Sequence, residues 1–155
     1  MATRVHEEIQ QRHPFPRRTE EAIVAITRTS AVLDHALGET LRPFGITPTQ
    51  YNVLRILQGS SATGLCGREV GERLVSQVPD VSRLLDRMAE LKLITRERDD
   101  DDRRHVTARI ASRGIEVLRA AGPHLQALER QVFAEMDDDL VATMLLGLDA
   151  VRNNR

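Results

Sequence analysis

Residues 77–110 read QVPDVSRLLDRMAELKLITRERDDDDRRHVTARI. Pro79 is suited to open a helix. Val81, Leu84, Leu85, Met88 and Leu91 then share one helical face, which leaves Asp80, Arg83, Asp86, Arg87 and Glu90 on the other. After Lys92 the period shortens. Residues 93–98 and 104–110 suit strands, and in the second Val106, Ala108 and Ile110 alternate with His105, Thr107 and Arg109. The four aspartates at 99–102 fall at the tip of the resulting hairpin, where Asp accepts the tight and left-handed backbone that a turn without Gly requires.

Working outward, Cys66-Gly67-Arg68-Glu69 has the form of a capping box with Cys in place of Ser or Thr. Val70 and Leu74 supply a short apolar stripe, so a brief helix is expected to end near Val75. Only Ser76, Gln77 and Val78 separate it from Pro79, and two helices joined so tightly, the second with outward arginines, are what a helix-turn-helix requires. Upstream, Thr47-Pro48-Thr49-Gln50 combines a capping Thr, a Pro at the first helical position and a Gln at the third. That helix should turn Tyr51, Val53, Leu54, Ile56 and Leu57 inward, and the loop at residues 59–64 follows it.

Thr19 is placed to cap an earlier helix, with Glu20 and Glu21 at its positive end and Ile23, Ile26, Leu33, Leu37 and Leu41 recurring at helical spacing. Pro43 and Gly45 end it. Pro14 and Pro16 forbid a helix around them, so residues 1–18 are expected to form an arm. Downstream, residues 112–136 read as a long helix interrupted at Gly122-Pro123. Asp137-Asp138-Asp139 caps a last helix bearing Leu140, Val141, Met144, Leu145 and Leu148.

The 155-residue chain is long enough for one domain with its own core. With aromatics at 3% and no Trp, aliphatic side chains must build that core. A net charge of −1 gives no whole-molecule argument for a polyanionic partner, so any such case rests on local clusters. A single cysteine, Cys66, excludes an internal disulfide and fits a reducing cytoplasm. The first residues, MATRVHEEIQQRHPFPRR, hold no apolar run, and no stretch approaches membrane-spanning length, so neither export nor membrane insertion is expected.

The element order is therefore two helices, a helix-turn-helix, a hairpin wing and two more helices. The fold class is mainly α with a small β-hairpin wing. On this order residues 46–114 resemble the MarR family of bacterial transcription regulators, winged helix-turn-helix homodimers that bind near-palindromic operators. The opening of the Thr47 helix, the run Val78-Pro79-Asp80-Val81-Ser82-Arg83-Leu84-Leu85-Asp86-Arg87-Met88, and the wing pattern of an Asp, two spacers and Asp102-Arg103-Arg104 carry the resemblance. Two departures stand out: Ala111, where the family usually has a capping Thr and where Ser112 is the candidate to take over that role, and Pro79-Asp80, which replace small hydroxyl residues. The implied organisation is an arm at 1–18, a winged DNA-binding domain at 46–111, and helical dimerisation regions at 19–45 and 112–155.

The resemblance implies that Gln77, Pro79, Asp80, Ser82, Arg83 and Arg87 face the major groove, with Arg83 able to read guanine and Gln77 adenine. Asp80 is divided between accepting from cytosine and simply capping its helix. Arg103 or Arg104 would enter the minor groove, with Asp102 holding a guanidinium in place. A small aromatic or phenolic effector would bind between the dimerisation helices and the winged domain, with His35, Tyr51 and Arg55 as candidate lining residues. The expected partners are double-stranded operator DNA and a second copy of the chain. No cofactor and no metal are expected.

Three rival readings differ in chemistry. Cys66 at a helix start can have a lowered pKa, which would suit a thiol-based redox regulator. A winged helix can also serve as a protein-binding adaptor, against which the outward arginines argue. A metal-dependent enzyme would need residues 99–102 and His105 to converge, yet adjacent residues on a hairpin tip diverge and no Gly-rich phosphate loop is present. The expectation is a regulator, not an enzyme.

Overall fold

The computed structural model describes residues 5–60, 62–98 and 106–154. The arm differs from its expected form: Val5–Glu8 is a short helix, α1, that buries Val5. It precedes both prolines, which therefore do not oppose it. The long helix α2 (Arg18–Leu41) starts two residues earlier than a cap at Thr19 would place it, with Arg17 at its N-cap and no side-chain cap. It ends as expected, in a 3-10 turn (Arg42–Phe44) holding Pro43, closed by Gly45 at φ +71°, a left-handed position that Gly accepts freely.

At α3 (Pro48–Gln58) the capping box is complete. The Thr47 hydroxyl accepts from the Gln50 N–H at 3.2 Å, and Gln50 Oε1 accepts from the Thr47 N–H at 3.0 Å. The helix buries Val53, Leu54 and Leu57, with Tyr51 and Ile56 at the margin. The chain then forms β1 (Leu65–Cys66), α4 (Gly67–Arg73), α5 (Val81–Glu90), β2 (Ile94–Arg98), β3 (Val106–Ile110), α6 (Ser112–Val132) and α7 (Asp138–Asn153). β1 went unforeseen. It pairs antiparallel with β3, Leu65 opposite Ala108 and Cys66 opposite Thr107, so the hairpin is one part of a three-stranded sheet ordered β1-β3-β2.

α5 begins at Val81, two residues after Pro79, because Asp80 takes the N-cap and accepts from the Arg83 N–H at 2.9 Å. Its other end is a Schellman closure. The Leu93 N–H donates to Met88 O at 3.0 Å and the Lys92 N–H to Ala89 O at 2.9 Å, while Leu93 and Met88 are both buried. Lys92 itself has φ +59°, at the position where Gly is the usual occupant. At the start of α6, Ala111 is the N-cap without a side-chain bond, and Ser112 lies inside the helix. The hydroxyl therefore does not replace the missing Thr.

One core joins the parts. Leu41 of α2 and Leu118 and Ala121 of α6 pack with Val53 and Leu54 of α3, Val70 of α4, Leu85 and Met88 of α5, and Leu93, Ile94 and Ala108 beside and within the sheet. The helices flanking the winged segment thus contribute to its interior, each fully buried aliphatic side chain stabilising by about 1.5–3 kcal/mol. Gly114 permits the closest approach. A Cβ there would lie 2.3 Å from Leu93 O and 2.9 Å from a Leu54 methyl.

Candidate nucleic-acid interface

α4 and α5 form the two arms of the helix-turn-helix. At the start of α4, Glu69 accepts from the Cys66 N–H at 2.8 Å. That bond, and secondly the Cys66 thiol, hold the Glu69 carboxyl below its ordinary pKa. Gly71 keeps the helices close, since a Cβ there would stand 3.3 Å from a Val81 methyl. The connecting turn is tied to α3, where Asn52 Oδ1 accepts from the Val75 N–H at 3.0 Å.

α5 buries Leu85 and Met88 and half-buries Val81 and Leu84. Ser82, Arg83 and Arg87 are exposed on its outer side, and Gln77, Pro79 and Asp80 are exposed on the approach to it. The six helix-turn-helix candidates are therefore brought to one exposed stretch of chain. One oxygen of Asp80 is already engaged by the Arg83 N–H. Asp102, Arg103 and Arg104 lie outside the described residues, as does His105. The strands leading to them are in full register, from Ile94 opposite Ile110 to Arg98 opposite Val106.

Arg96 joins the two halves of this surface, and the sequence reading passed over it. From β2, its Nη1 donates to the Asp86 carboxylate and, at 3.4 Å, to the Ser82 carbonyl. The Arg96 side chain is only 18% exposed, so the pair is shielded better than an ordinary surface bridge. Its effect is positional: the base of the wing is fastened to the outer side of α5. The available signal was the opposite charge of Asp86 and Arg96, ten residues apart across the helix end. Arg109 of β3 is paired with Glu97 across the sheet.

A cleft of about 390 Å³ lies behind the interface. α2 supplies Asp34 and Leu37, α3 supplies Tyr51 and Asn52, and the turn of the helix-turn-helix supplies Val75 and Ser76. Of the three residues considered for an effector, Tyr51 lines this cleft, whereas His35 and Arg55 are exposed and absent from its lining. Cys66 is half-buried and a free thiol. Among the described residues no cluster of His, Cys, Asp and Glu is arranged to hold a metal ion, and no helix is long and apolar enough to cross a membrane.

The fold and the exposed α5 define a winged helix-turn-helix protein. Residues 44–105 match the MarR family. Over 132 residues the chain is 22% identical to the HTH-type transcriptional regulator MhqR of Bacillus subtilis (strain 168), covering 82% of this chain and 90% of that protein. Among solved structures, MepR of S. aureus in complex with DNA has a TM-score of 0.76 at 22% identity, covering 84% of this chain and 96% of that one. The organohalide-sensing regulator RdhR in its 2,4-dichlorophenol-bound form has a TM-score of 0.80 at 18% identity, covering 93% and 87%. The winged segment of the chain is thus similar to that of the MarR family of transcriptional regulators, and the fold around it is the one these solved structures share.

Proposed function

We propose that this chain is a homodimeric repressor. Two copies present their α5 helices to a near-palindromic operator about one helical turn of DNA apart, and a small aromatic or phenolic ligand releases them. The observation that carries the reading is the exposed stretch from Gln77 to Arg87, backed by a buried Leu85–Met88 face and fastened to the wing through Arg96. In this reading Arg83 reads a guanine and Gln77 an adenine, while Arg103 or Arg104 enters the flanking minor groove with Asp102 orienting a guanidinium.

Dimerisation is supported by apolar side chains that one copy leaves uncovered. Ile23 and Val32 of α2 and Leu140, Leu145, Leu146 and Val151 of α7 are exposed, on helix surfaces that the winged core does not cover. Release is supported by the position of the cleft. Val75 and Ser76 belong both to its lining and to the turn that leads into α5, so a ligand seated against them competes with the Asn52–Val75 tie.

Footprinting on the DNA flanking this protein's own gene tests the reading. Arg83→Ala and Arg104→Ala should each weaken protection by about 1 kcal/mol or more, roughly fivefold in Kd. If neither substitution weakens it, the proposed docking is wrong.

A further inference from the structure

We infer that the cleft behind the helix-turn-helix selects an aromatic cation, with Asp34 as its counter-charge; this rests on the reading of the cleft as the effector site. At about 390 Å³ it falls within the roughly 300–1,000 Å³ usual for small-molecule sites. Leu37 and Val75 give it apolar walls, and Val75 is 90% exposed. An occupant with an apolar ring gains by covering them.

The charge of the lining decides what else the occupant carries. Asp34 is its sole formally charged residue, the polar remainder being neutral groups such as Asn52 and Ser76. Asp34 has no ion-pair partner among the described residues. A carboxylate ligand would meet repulsion and lose hydration with no cation to replace it. An ammonium gains an ion pair and, from Tyr51, an aromatic ring that favours positive charge. His35 and Arg55 would have made the site suit an anion. With both outside the lining, its sign is reversed.

Three ligands of one ring system separate the possibilities: naphthylmethylamine, naphthol and naphthoate, titrated calorimetrically into the full chain. Location is read independently from the ring-proton NMR signals of Tyr51, which are unambiguous because it is the only tyrosine of the chain. The amine should bind about threefold to fivefold more tightly than naphthol, with naphthoate weakest. Asp34→Asn, an exposed substitution, should erase the amine's advantage and leave naphthol within about twofold of its starting affinity. Equal binding of amine and naphthol, or an unchanged ranking in Asp34→Asn, overturns the charge selection while any Tyr51 response keeps the cleft as a ligand site. No Tyr51 response to any of the three overturns both.

Discussion

α3 and α7 have similar aliphatic content and opposite fates. α3 buries Gln50, Val53, Leu54 and Leu57 within eleven residues, whereas α7 buries nothing in sixteen. α6 passes from one regime to the other. Gly114, Leu118 and Ala121 are buried along its first half, and Val132 at its end is exposed. The difference is one of available partners rather than composition: the winged core closes within a single copy, and the outer helices retain an apolar surplus for a surface beyond it.

The largest effect that tests this contrast comes from one methylene-rich side chain in each region. Leu54→Ala should lower unfolding stability by about 2–5 kcal/mol, from lost burial plus the cavity left between Gly114 and the sheet. Leu146, 71% exposed, should behave differently. Leu146→Ala should leave the dilute protein within about 0.5 kcal/mol of its original stability and shift only the concentration dependence of its association. Denaturant titrations at two protein concentrations give both quantities. A concentration-independent loss at Leu146 equal to that at Leu54 would mean that α7 is part of the monomer's core.

Where residues carried their reason locally, the sequence displayed the fold. Thr47 with Gln50, Gly45 after Pro43, and Asp137 before α7 each satisfy neighbouring backbone groups, so their roles are written within four residues of chain. β1 was hidden because a two-residue strand is too short to alternate, and its partner Thr107 lies about forty positions away. Pro79 misled because its fixed φ suits a helix start, yet Asp80 offers a side-chain acceptor that Pro79 lacks. At the interface, the outward position of Arg83 and Arg87 on α5 was legible from amphipathic spacing. The Arg96–Asp86 tie was not, since it depends on how β2 returns across the helix, and neither was the exclusion of His35 and Arg55 from the cleft.

A smaller effect sharpens the comparison through two caps of the same design. Asp80 accepts from the Arg83 N–H at 2.9 Å and Asp137 from the Leu140 N–H at 2.8 Å. Asp80→Ala and Asp137→Ala should each remove about 1 kcal/mol from the helix concerned. For Asp80 the loss should appear in global unfolding, because α5 carries Leu85 and Met88 into the core. For Asp137 it should appear as faster amide exchange confined to α7 in dilute protein. Asp80→Asn keeps the cap, so altered preference at a single operator base pair in that variant would assign Asp80 to base reading as well.

The smallest change concerns the joint between α5 and the wing. Lys92 occupies a left-handed position, φ +59°, that costs a residue with a Cβ about 1 kcal/mol relative to Gly. Lys92→Gly should therefore raise stability by about 0.5–1 kcal/mol, measured as a higher denaturant midpoint with unchanged slope. The two hydrogen bonds of the closure come from backbone N–H groups and survive the substitution. A gain would show that the joint between α5 and β2 is held by Leu93, Met88 and the Arg96 tie rather than by the residue at the turn. A loss would mean that the Lys92 side chain itself supports the core side of the molecule, in which case the contrast with α7 extends to its surface.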